Sequence, residues 1–144
     1  MLLLWKEIQG FSASFVDVYY EGGTNLTDDV LRLWVTLNST YCWIIREIAG
    51  RKNLGGGMLK AEAVDLEPFA LYFDYEDMDL IRSIFNRSKE ESIKNSQVEI
   101  NTELHQMIDN LVFEKIGLSE DEAKYMKEVF IKMVDARYNK VTAK

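Results

Sequence analysis

Apolar positions in this chain change their spacing as the sequence proceeds, and each change marks a change of element. Residues 2–8 and 11–20 are rich in aromatic and β-branched side chains. Phe11, Ala13 and Phe15 alternate with Ser12 and Ser14, and Val16, Val18 and Tyr20 then alternate with Asp17 and Tyr19. A period of two predicts strands, with Gly10 turning the first into the second and Gly22-Gly23 closing the pair. Two strands alone are marginal, so they are expected to pack on the helices that follow or on strands from further upstream. From residue 31 the apolar positions become Leu31, Trp34, Val35, Tyr41, Cys42, Ile45 and Ile48, which is the spacing of one helical face. Thr27 or Asp28 is the expected N-cap, with acidic residues in the first turn. Asn38 falls on the apolar side of this stripe. It is either buried with its amide satisfied or part of a break at which Asn38, Ser39 or Thr40 caps a second helix. The break is preferred, because three successive residues compete there for backbone hydrogen bonds. Gly50 ends the helix at a position where a left-handed cap is expected.

The next segment abandons periodicity. Gly55-Gly56-Gly57 lie in a loop between Arg51-Lys52-Asn53 and Lys60. Residues 58–64 suit a short strand or turn and residues 64–67 a short helical piece that Pro68 limits, while 69–73 suit an edge strand. Beyond residue 76 the pattern is helical and charged throughout. Met78, Ile81, Ile84 and Phe85 form one stripe, followed by an exposed helix end and linker over 86–97. Ile100, Leu104, Met107, Ile108, Leu111, Val112 and Ile116 form a longer stripe closed by Gly117. Ser119 opens a capping box with Glu122 ahead of a last stripe of Ala123, Met126, Phe130, Met133 and Val134, with Arg137, Lys140 and Lys144 suiting its C-terminal dipole. The resulting expectation is an α+β chain, predominantly α: short N-terminal β-strands packed on helices, then a C-terminal antiparallel helical hairpin. It divides into an α+β part over residues 1–75 and an acidic helical part over 76–144.

Composition adds a compartment and a charge map. With 144 residues and 47% hydrophobic content the chain can build a real core. Its one cysteine, Cys42, excludes an internal disulfide framework and suits a reducing compartment. Asn38-Ser39-Thr40 matches a glycosylation acceptor, yet the apolar run at the N-terminus is too short for a signal sequence and none approaches membrane-spanning length, so a cytoplasmic location and no membrane partner are expected. That apolar start is also what a chain beginning inside a larger fold would show. The net charge of −7 is uneven: residues 1–60 carry six acidic and six basic side chains, residues 61–144 eighteen against eleven. Between residues 46 and 60, Arg46, Arg51, Lys52 and Lys60 face a single acid, Glu47. This is where an anionic partner is expected, since the acidic remainder would repel a phosphate backbone.

Catalytic constellations are missing. His105 has no second histidine, cysteine or carboxylate pair at ligand spacing, no serine sits in a nucleophile elbow, and Asp77 with Asp79 reads as the outer face of a helix. No catalytic or metal-binding residue is therefore assigned. The glycine loop lacks the Lys-Ser/Thr of a nucleotide-binding loop. It is either a plain connection whose glycines supply positive φ or bare backbone that can approach a sugar-phosphate chain while the flanking side chains neutralise charge or read base edges. Trp34, Tyr41 and Trp43 near it read as core.

Leu37-Asn38-Ser39-Thr40, then Gly50-Arg51-Lys52-Asn53-Leu54-Gly55-Gly56-Gly57-Met58-Leu59-Lys60 and Asp65-Leu66, resemble the C-terminal region of adenine-N6 DNA methyltransferases of restriction-modification systems. Residues 104–109, Val112-Phe113, Ile116-Gly117-Leu118-Ser119, Glu122, Val134 and Arg137 are similar to the helical end of the same proteins, so the resemblance spans most of the chain from about residue 31. It implies a DNA target-recognition or positioning region that works beside a class I methyltransferase domain. The family's Asn-Pro-Pro-Tyr/Phe motif cannot exist here, because Pro68 is the one proline, and its glycine-rich S-adenosylmethionine loop is absent. The resemblance thus implies a non-catalytic module, with S-adenosylmethionine held by a catalytic domain elsewhere. Its partners would be double-stranded DNA, contacted through Arg51, Lys52, Asn53, Gly55, Gly56, Gly57 and Lys60, and that catalytic domain. The alternative is a protein-interaction module in which the acidic hairpin docks on a catalytic domain or partner subunit.

Overall fold

A computed structural model describes residues 26–51, 59–60, 63–66, 68–69, 73–92 and 94–142. Over these the chain is helical: α1 (Leu26–Leu37), α2 (Thr40–Ala49), α3 (Ala63–Leu66), α4 (Met78–Ser88), α5 (Ser96–Glu99), α6 (Glu103–Ile116) and α7 (Glu120–Thr142). The β-strands expected over residues 2–20 lie outside the described residues, as do Ala70, Leu71 and Tyr72 of the expected edge strand. Phe73 is not in a strand. Among the described residues, β-type pairing is confined to one isolated bridge, Arg51 with Lys60.

Local signals set most helix ends. The break between α1 and α2 falls where the three polar residues stand: Ser39 is the N-cap of α2, its Oγ accepting from the Cys42 N–H at 3.3 Å. Asp77, Asn95 and Thr102 cap α4, α5 and α6 in the same way. Gly117 closes α6 at φ 75°, the left-handed conformation that glycine adopts without a Cβ penalty. The box at Ser119 is complete, with the Ser119 N–H donating to Glu122 Oε2 at 2.9 Å and the Glu122 N–H to Ser119 Oγ at 3.4 Å. Two ends differ from expectation. Helix α1 already begins at Leu26, so Thr27 and Asp28 lie in its first turn rather than at its cap. Gly50 is extended (φ −70°, ψ 146°), not left-handed. It is needed for space instead: a Cβ there would stand 2.5 Å from the Arg46 carbonyl oxygen and 2.5 Å from Leu59 Cδ1.

Among the described residues, two apolar clusters form the core. The first combines Leu31, Trp34 and Val35 of α1 with Tyr75, Ile81 and Ile84 near and on α4 and Leu104, Ile108 and Val112 of α6, so the compositional change near residue 75 is not a break in packing. Tyr75 is locked to α1 by a 2.8 Å hydrogen bond with Thr36 Oγ1, and burial pushes its hydroxyl up to about 12. The second cluster joins Trp43 and Ile44 of α2 to Phe130 and Val134 of α7, closing on Ile100. Ile100 lies between α5 and α6 rather than inside the long helix its spacing suggested. Helix α7 follows α6 through a short turn, but its apolar stripe packs chiefly on α2. The bidentate pair of Arg137 and Glu47, with Nη2 to Oε1 at 2.7 Å, fastens that contact in a largely buried setting.

Candidate nucleic-acid interface

Helix α2 delivers the basic segment. Gly50 ends it, and the chain leaves through Arg51, whose N–H donates to the Lys60 carbonyl at 2.8 Å while the Lys60 N–H donates back at 3.3 Å. Residues that exchange both hydrogen bonds in an antiparallel pair carry their side chains to the same face. The bridge therefore sets two cationic side chains side by side, an arrangement that costs stability unless an anion offsets it. Asp65 of α3 supplies part of that offset, with Oδ1 3.6 Å from Arg51 Nη2. At that length, with the Arg51 side chain 54% exposed, the pair is solvent-screened and leaves the guanidinium reachable.

Of the residues expected to meet DNA, the structure brings Arg51 and Lys60 together. Lys52, Asn53, Gly55, Gly56 and Gly57 lie outside the described residues. Trp34 and Trp43 are buried, consistent with a core role, and Tyr41 is half-buried against Phe73. Ile48 departs from the apolar stripe to which its spacing assigned it. It is 62% exposed on α2, and Val64 of α3, the short helix packed on α2, is equally exposed. Asn38, Ser39 and Thr40 are all buried, so the acceptor-like tripeptide is unreachable for a glycan.

A buried polar layer, which the spacing of residues does not announce, joins three of the helices. Asp109 of α6, fully buried, receives the backbone N–H of Thr40 on Oδ1 at 2.7 Å and the Thr40 hydroxyl on Oδ2, also at 2.7 Å. The first of these bonds satisfies an orphan amide at the start of α2 with a negative charge, where the helix dipole favours one. Lys127 of α7 reaches the same carboxylate at 3.2 Å. Because Thr40 gives its one hydroxyl hydrogen to Asp109, it accepts from His105 Nε2 at 2.9 Å, which fixes the imidazole tautomer. The His105 ring lies against Trp43 with centroids 4.3 Å apart. Burial is the main influence holding His105 below its ordinary 6.5, with Lys127 acting the same way and Asp109 and Glu99 opposing.

Threonine, histidine and aspartate in contact invite comparison with a hydrolytic triad, but the geometry is wrong for one. The carboxylate binds the hydroxyl directly instead of orienting the far ring nitrogen, and no atom of the set faces solvent where a substrate would approach. The layer is structural. In the sequence its trace was His105 and Asp109 four apart on one helix face, a spacing shared by many solvated pairs. Among the described residues no group of three His, Cys, Asp or Glu side chains is placed to hold a metal ion, and no helix is long and apolar enough to cross a membrane. No protein-family model, no curated protein and no solved structure matches this chain.

Proposed function

We propose that this chain is a non-catalytic module that recognises or positions double-stranded DNA for an adenine-specific modification methyltransferase, whose S-adenosylmethionine site and reaction centre reside in a separate catalytic domain. The observation that carries the DNA-binding part is the opposition of Arg51 and Lys60 at the base of the glycine loop. Two exposed cations held on one face suit adjacent phosphates. The methyltransferase part rests on the similarity of residues 37–60 and 104–137 to the C-terminal region of those enzymes.

Fluorescence anisotropy of the chain with a labelled duplex, titrated across salt, tests this reading. Replacing Arg51 and Lys52 by alanine is expected to weaken binding and to reduce the slope of log K against log salt by about one unit for each phosphate that is no longer neutralised. An unchanged slope removes these residues from any interface. A docking role has its own support in the exposed Ile48 and Val64 on the packed pair α2 and α3. Co-elution with a methyltransferase catalytic domain, lost on Ile48→Asp and without any DNA affinity of the chain itself, would favour docking over recognition.

A further inference from the structure

The two apolar clusters share no buried member, although Tyr41 of α2 packs against the first and Ile100, between α5 and α6, belongs to the second; the Thr40–His105–Asp109–Lys127 layer joins α2 and α7 to α6. We infer that this layer is an acid-sensitive seam, across which the α2–α7 pair detaches from the α1–α4–α6 body as a unit. The joints suit such a motion. The pair is continuous with the body through the two-residue link at 38–39, the turn at Gly117 and the chain that runs from α2 through α3 to α4. Among the described residues, two buried polar atoms, Asn38 Oδ1 and Trp43 Nε1, have no hydrogen-bond partner in the closed arrangement. Asn38 belongs to the first of these joints, and Trp43 packs on His105, so opening would give both atoms water. The basic bridge leaves from the C-terminal end of α2, so opening also moves Arg51 and Lys60 relative to the body. The inference concerns the fold and stands whether or not the chain binds DNA.

Protonation of His105 is the trigger. The groups that face it are Thr40 and Trp43 from α2, Asp109 from its own helix, Lys127 from α7 and Glu99 from α5. His105 Nε2 stands 3.4 Å from Asp109 Oδ2, which favours the imidazolium, but that carboxylate already serves two donors on Thr40 and the amine of Lys127, so a second cation at His105 enters a buried site whose one acid is shared. The closed state holds His105 below its ordinary 6.5, whereas the opened state restores that value. The advantage of the closed state is therefore complete above about pH 6.5 and declines as pH falls below it.

Hydrogen exchange on the whole chain at pH 7.5 and pH 5, corrected for the intrinsic pH dependence, tests the seam. The expected result is that amides of α2 and α7 lose protection by about tenfold or more at the lower pH while those of α4 and α6 keep theirs. His105 is the one histidine, so its imidazole signals report its titration without assignment ambiguity. The midpoint of that titration should coincide with the loss of protection in α7, and His105→Gln should flatten the pH response. If that variant does not fold, the coincidence of the two midpoints in the unaltered protein decides. Titration of His105 without any change in α7, or simultaneous loss of protection in every helix, would overturn the inference.

Discussion

Lys127 Nζ on α7 stands 3.2 Å from Asp109 Oδ2 on α6, and the same carboxylate holds the first amide of α2 through Thr40. One buried acid thus fastens the consecutive helices α6 and α7 to the distant α2. Asp109→Asn keeps the shape but removes the charge that Lys127 and the α2 dipole both use, and it turns one acceptor into a donor. A loss of about 2–4 kcal/mol in urea-unfolding free energy is expected. Lys127→Met should cost less, about 1 kcal/mol, because the amine is partly exposed. Equal losses for the two variants would mean that the layer is not organised around the acid.

The Glu47–Arg137 pair makes a different prediction. Glu47→Leu leaves a largely buried guanidinium without its bidentate partner and should cost about 3 kcal/mol. Replacing both residues together, as Glu47→Leu with Arg137→Met, should recover most of that loss, because an apolar pair of similar size fits between α2 and α7. The four corners of this cycle, measured by thermal unfolding, give the coupling directly. Additive losses would show that the two side chains do not act as one unit.

Gly50→Ala should be destabilising by about 1–3 kcal/mol, although its φ is one that any residue adopts. The added methyl meets the backbone carbonyl of Arg46, which cannot move without unwinding α2, and the side chain of Leu59. The displacement falls on the strand-like base of the loop, so the variant should also bind duplex DNA more weakly than its stability loss explains. Anisotropy measured well below its melting temperature separates the two effects.

Asp65→Asn removes the carboxylate that competes with an incoming phosphate for Arg51. DNA affinity is expected to rise a few-fold at low salt, with the gain shrinking as salt increases, since the pair is screened at the surface. Weaker binding after this substitution would place Asp65 in the interface as a contributor rather than a competitor.

Cys42 is almost fully buried, and burial pushes its thiol up to about 11. Alkylation by iodoacetamide at pH 8 should therefore be at least about a hundredfold slower in the native chain than in urea, because reaction waits on an opening event. A native rate near the unfolded one would contradict the packing of α2.

Much of the helical framework was legible in the order of residues. The break at 38–40, the capping box at Ser119 with Glu122, the left-handed Gly117 and the stripes on α4 and α6 are consequences of interactions that span three or four positions, so spacing reveals them. Where a competing local pattern existed, spacing misled: Ile48 continues an apolar stripe yet points to solvent, because α2 turns its other residues toward α7. The close pairing of Arg51 and Lys60 was not visible either, although both were expected to belong to one basic segment.

By itself, then, the sequence determined most of the stretches of the described region that coil into helices and several of their ends, because backbone hydrogen bonds and caps are settled among near neighbours. The tertiary structure alone decided that α7 chooses α2 as its partner and that Asp109 receives the first amide of α2 from 69 residues away. A buried charge selects its partners by which donors the folded chain brings within reach once water is excluded, and that selection leaves no periodic mark in the order of residues.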